Sequence, residues 1–251
     1  MSYRFSSDTL IHSCGFNLYS FYNILKNGIM SYSYAKENGF VVDRNYYGSN
    51  LDDMISCVRY LYVNDSIEDG AYSAHVKNGL SFILEDVSFV YDKGDRFIHR
   101  YDEVLVKDYI DVSRIKGVLV PDFYKDFDVC DLEFIRRDST SYSLILRNVS
   151  NMLSFIGSLG GSINKSLYDD CFRELYYINE AFRNSSSSDK DVLRDDFVCV
   201  IDDLNYLIGT DFARVFKNLI GKDDVSLIDV VDFFSGDLPI YYLGNSVSLK
   251  K

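Results

Sequence analysis

The hydrophobic period of the chain changes at Pro121, and that change limits the folds open to it. Ahead of Pro121 the apolar residues fall in short runs over Thr9–Ile11, Met54–Val63, Leu80–Tyr91, Glu103–Val106 and Ile115–Val120. Their length and their Val, Ile and Leu content predict strands. Behind Pro121 the spacing lengthens. Ser139–Ser158 carries Ile145, Val149, Met152 and Ile156; Ile163–Phe182 carries Leu167, Cys171, Leu175 and Ile178; Val192–Ile208 carries Phe197, Val200, Leu204 and Leu207. These spacings predict one-sided amphipathic helices, with two shorter ones over Asp211–Ile220 and Val225–Phe234. The expected class is α+β, with a mixed-sheet domain over residues 1–135 and an all-α helical bundle over 136–251.

Local signals fill in the first half. Leu18, Phe21, Tyr22, Ile24 and Leu25 recur at helical spacing, and Asn27-Gly28 supplies a left-handed stop. The strand before this helix ends at His12, with Ser13-Cys14-Gly15 read as a turn. Residues 31–53 are rich in Tyr, Ser, Asn and Gly, with Tyr46-Tyr47-Gly48-Ser49-Asn50 read as the loop. Glu85-Asp86 interrupts the Leu80–Tyr91 run, where a bend or bulge is expected. In the second half, Gly160-Gly161 and Ser185–Ser188 separate helices closely enough for antiparallel packing.

Composition narrows the function classes. The 251 residues carry a net charge of −12, with 13 Lys+Arg against 21 Asp+Glu in residues 1–135 and 13 against 17 in residues 136–251. Both halves repel phosphate backbones, so a broad duplex-binding face is disfavoured, while a small cationic cleft could still hold a dinucleotide. No apolar run reaches the ~18 residues of a membrane span, and no basic-then-apolar export signal opens the chain. The five cysteines are scattered without Cys-x-x-Cys spacing. They read as small core residues in a reducing compartment, so a cytoplasmic location is expected, in the producing cell or in a host cell, with no zinc site.

Four motifs stand in order along the first half: His12 at a strand outlet, the Tyr46-Tyr47 loop, Ser56-Cys57-Val58-Arg59 on a strand, and Glu103 opening the run Glu-Val-Leu-Val ahead of Ile-Lys-Gly-Val-Leu-Val. By residue type alone each has a structural role too: a core histidine, tyrosines covering a sheet, a charged strand start. Taken together they resemble the ADP-ribosyltransferase superfamily, closest to the branch of DNA-targeting toxins and phage-encoded relatives. The resemblance covers about residues 1–125, with Ser13-Cys14 standing where the family usually has Gly-Thr.

What the resemblance implies is a split mixed sheet that binds NAD as a substrate. The family cleaves the nicotinamide–ribose bond and passes ADP-ribose to a macromolecular acceptor, a protein or a nucleic acid. Positive charge builds on the ribose as that bond breaks, so a carboxylate aimed at the ring stabilises the transition state more than the ground state. By resemblance Glu103 is that carboxylate, and His12 holds a ribose hydroxyl or the nicotinamide amide. Tyr47 or Tyr46 stacks on nicotinamide, Arg59 faces the pyrophosphate and Ser56 holds the strand geometry; no metal is required. Arginine-modifying members carry Glu or Gln two positions before the catalytic Glu, where this chain has Tyr101, so another acceptor is expected. The related tRNA 2′-phosphotransferases need a cluster of arginines and histidines that cannot be assembled here. A second expectation is a catalytically inactive, transferase-like module that binds a protein, an antitoxin or a host partner, as an effector or inhibitor.

Overall fold

The computed structural model describes residues 8–15, 17–40, 52–59, 76–91, 103–125, 127–129, 134, 142–185, 189–243 and 249–250. In chain order the first elements are β1 (Leu10–Gly15), α1 (Leu18–Asn27), β2 (Ile29–Met30), α2 (Tyr32–Glu37), β3 (Met54–Arg59), β4 (Leu80–Leu84) and β5 (Val90–Tyr91). Next come β6 (Glu103–Lys107), β7 (Tyr109–Ile110) and β8 (Ile115–Pro121). The helices α3 (Tyr142–Ser158), α4 (Lys165–Asn184), α5 (Asp189–Ile220) and α6 (Leu227–Ser235) follow, then β9 (Ile240–Leu243) and β10 (Leu249–Lys250). The class is α+β, a sheet region and a helical region. The chain divides into two compact units, Met1–Lys125 with Val231–Lys251, and Asp126–Val230.

The first unit is built on an eight-stranded mixed sheet of order β10-β9-β8-β4-β1-β3-β6-β5. All pairs are antiparallel except β8 with β9. One face buries Ile11, Val58, Ile83 and Leu119 with Val76, Tyr241 and Leu243. On the other face Phe82 stacks with Phe21 of α1, ring centroids 5.2 Å apart. The helix that carries Phe21 starts where Asn17 accepts the Ser20 amide and stops at Gly28, which has φ +81°. A Cβ on Gly28 would lie 2.4 Å from the Ile110 carbonyl oxygen, so glycine is needed for conformation and for space.

Several boundaries differ from the sequence expectation. Ser13-Cys14-Gly15 continues β1 instead of turning, because the strand absorbs one extra residue as a bulge between Ser13 and Gly15. The Leu80–Tyr91 run is two strands: Asp86 takes φ +55°, and β4 and β5 end up in different parts of the sheet. Within the Tyr- and Ser-rich stretch over residues 31–53, Ser31 accepts the Tyr34 amide and opens α2. The helical domain does not run to the C-terminus. Ile240–Leu243 pairs with β8, and the missing side chain of Gly117 leaves room for the Tyr241 ring.

In the second unit α3, α4 and α5 bury Ile145, Val149, Ile156, Leu175, Leu204 and Phe212. Gly160, at φ +85°, closes α3 as its spacing predicts. The expected break near residue 209 is absent, and α5 runs for 32 residues. The Asp211 carboxylate accepts the Tyr168 hydroxyl at 2.9 Å and pairs with the Arg214 guanidinium. Burial of Ile208, Phe212 and Phe216 offsets the roughly 1 kcal/mol cost of Gly209 in a helix interior. Among the described residues no helix is long and apolar enough to cross a membrane.

Candidate functional site

Three strands that carry the sequence motifs lie side by side, β1 with His12, β3 with Ser56 and Arg59, and β6 with Glu103. The register is continuous across them. Leu10 faces Arg59, and Ile11 faces Val58, which in turn faces Glu103. Along the same ladder Cys57 faces Val104 and Ser56 faces Leu105. Residues up to 95 positions apart in sequence thus fall within a few successive rungs, a proximity that pairing alone creates.

The same ladder divides them. Residues directly opposed across strands point to one face, and neighbours along a strand alternate. Glu103 therefore shares a face with Val58 and Ile11, and with Ser56 two residues along β3. His12 faces Phe82 and belongs to the opposite side, with Arg59. One cleft holding both His12 and Glu103, as the motif order suggests, is not what the ladder forms. Its strict alternation separates the two side chains.

Each group has a defined local setting. The His12 ring is part-buried, and its Nδ1 lies 2.9 Å from the Ser56 carbonyl oxygen. A carbonyl only accepts, so Nδ1 carries the hydrogen and Nε2 presents a lone pair. Burial lowers the His12 pKa from its ordinary value, outweighing the opposing effect of the Ser56 bond, and the ring is neutral near pH 7. The guanidinium of Arg59, with 17% of its side chain exposed, lies 3.7 Å from the Asp8 carboxylate and 5.9 Å from the centre of the Phe89 ring. Its charge is thus already matched within the protein, and neither partner is adjacent in sequence.

Glu103 is part-buried at the first position of β6, against fully buried Val58 and Val104, which is only 1% exposed. Its charge is felt inside the sheet: burial first, and the Glu103 carboxylate second, push the Cys57 thiol up. Cys14, at the bulge of β1, is pushed up to about 12 by burial. Neither thiol is activated for nucleophilic chemistry. Tyr46 and Tyr47 lie outside the described residues.

Away from these strands, the helical unit has a hollow of about 290 Å³ bordered by Gly161, Ser162, Arg214 and Asn218. Arg214 is held there by Asp211 and the Ser162 carbonyl. Among the described residues no group of three His, Cys, Asp or Glu side chains is arranged to hold a metal ion. No protein-family model, curated protein or solved structure matches the chain.

Proposed function

We propose that the sheet unit is an NAD-dependent mono-ADP-ribosyltransferase in which Glu103 is the catalytic carboxylate. The observation that supports this reading most is the adjacency of β1, β3 and β6, which gathers the His, Ser-x-x-Arg and Glu motifs of the family resemblance into neighbouring rungs. In this reading the nicotinamide–ribose bond breaks with both electrons leaving on nicotinamide, and Glu103 steadies the electron-poor ribose. A nucleophile of the acceptor then bonds to the same ribose carbon and gives up its proton to solvent water. Ser56, on the face of Glu103, is the side chain suited to bind a ribose hydroxyl beside it.

The alternation of faces changes two roles. His12 acts as a positioning residue, its Nδ1–H holding the Ser56 carbonyl and hence the backbone of β3. Arg59 is matched by Asp8 and faces away from Glu103, so pyrophosphate binding falls to other groups. The acceptor is a protein or nucleic-acid group other than arginine, since Tyr101 stands where arginine-modifying relatives carry Glu or Gln. The location consistent with this chemistry is the cytoplasm of a cell that supplies NAD.

The separation of His12 from Glu103 also favours a second reading, a transferase-like module without catalysis that binds an antitoxin or host protein. Incubation with NAD distinguishes the two. The transferase reading expects nicotinamide release that falls at least 100-fold in Glu103→Gln, the range expected when a transition-state charge partner is lost. Absence of release from the unmodified protein favours the binding module.

A further inference from the structure

The outer side of α5 carries exposed apolar residues, as α4 does at Leu167, Tyr176 and Tyr177. Val192, Cys199 and Tyr206 recur at intervals of seven, so they form one line along the helix. Val192 is 63% and Tyr206 67% exposed, and Cys199 is exposed as well. The buried residues Val200, Ile201, Leu204 and Ile208 lie on the opposite side of the same helix.

Charge on this side is one-sided and unbalanced. Asp195, Asp196 and Asp203 flank the apolar line, and no Lys or Arg occurs from residue 195 to residue 213. These three aspartates make no ion pair among the described residues, whereas exposed acids on α4 pair locally, Asp170 with Arg173 and Glu180 with Arg183. An ordinary solvated helix face intersperses both signs and carries few large apolar groups. Here carboxylates without an ion pair among the described residues border a straight apolar seam.

We propose that this side of α5 docks a basic amphipathic helix of a protein partner. Leu-type side chains would pack between Val192, Cys199 and Tyr206, while Lys or Arg on either flank would meet Asp195, Asp196 and Asp203. The seven-residue interval follows the seam that a second helix traces, which favours a helical occupant over an extended one. The line from Val192 to Tyr206 is about 21 Å long at 1.5 Å per residue, matching roughly 14–18 partner residues. A second copy of this chain is the wrong occupant, because its aspartates would oppose these aspartates. The docking stands apart from NAD chemistry.

Anisotropy of a labelled 16-residue Leu/Lys amphipathic peptide, titrated with the full chain, tests the proposal. The expected Kd lies in the micromolar range, on the order of 10 μM for a contact this small. Asp195→Lys with Asp203→Lys should weaken binding at least tenfold and Tyr206→Ala at least threefold. The charge-matched pair Asp232→Lys with Asp237→Lys, in α6 and just past it, should change it less than twofold, each variant first checked for helical content by circular dichroism. The proposal is overturned if the peptide does not bind, if both reversed pairs lose affinity equally, if Tyr206→Ala binds normally, or if a scrambled peptide of equal charge binds as well. Equal loss from both pairs would mean that the net charge of −12 attracts any polycation.

Discussion

The Nδ1 nitrogen of His12 donates to the main-chain carbonyl of Ser56 across 2.9 Å, just beyond the last paired rung between β1 and β3. The ring therefore continues by side chain a ladder that the backbone no longer makes. It ties the histidine strand to the serine strand, and the serine lies on the Glu103 face. The His12 ring itself lies on the opposite face of the sheet from Glu103.

Linkage gives the burial of this ring a pH signature. Burial lowers the folded-state pKa of His12 below the ordinary value of 6.5, so the unfolded chain binds the proton more readily. The contribution is fully present above pH 6.5 and is lost as the pH falls toward the folded-state value. Urea denaturation at pH 7.5, 6.5 and 5.5 should show a steeper loss of stability for the wild type than for His12→Gln. Parallel losses would remove His12 from the account.

Under the proposed transferase reading, the division of faces predicts unequal effects on nicotinamide release. Ser56→Ala should lower it about tenfold, while Arg59→Lys, which keeps the charge facing Asp8, should stay within about threefold. The reverse ranking would put the reacting sugar on the other side of the sheet.

Gly28→Ala should cost about 3 kcal/mol or more, since it adds a Cβ at φ +81° against the Ile110 carbonyl oxygen. Thermal unfolding followed by circular dichroism reads this directly. A change below 1 kcal/mol would mean that α1 can end differently.

Tyr168→Phe leaves the buried Asp211 carboxylate without one of its donors. The expected cost is about 1–3 kcal/mol in urea denaturation, the usual penalty for an unsatisfied buried acceptor. Near-zero loss would show that Arg214 alone suffices for Asp211.

Tyr241→Ala removes a ring that covers Leu119 and Ile83 and fills the space beside Gly117. A loss of about 3 kcal/mol is expected, as for truncation of a large core side chain. Stability within 1 kcal/mol would make β9 an accessory strand.

The sequence by itself determined the change from strands to helices near Pro121, the α1 stop at Gly28 and the turn at Gly160. Each of these follows from nearest-neighbour chemistry: hydrophobic period, left-handed glycine, caps. The motif order by which His12, Ser56, Arg59 and Glu103 resemble a transferase site is also local information, and their roles stand as a proposal. What only the tertiary structure decided is which strands are neighbours and which face each side chain takes. The return of Ile240–Leu243 to β8, the Asp8–Arg59 pair and the continuity of α5 through Gly209 all depend on partners distant in the chain. The separation of His12 from Glu103 is the sharpest case. A strand's alternation has a period of two, so its register with the next strand decides which side chains share a face, and register is set by burial across the whole sheet.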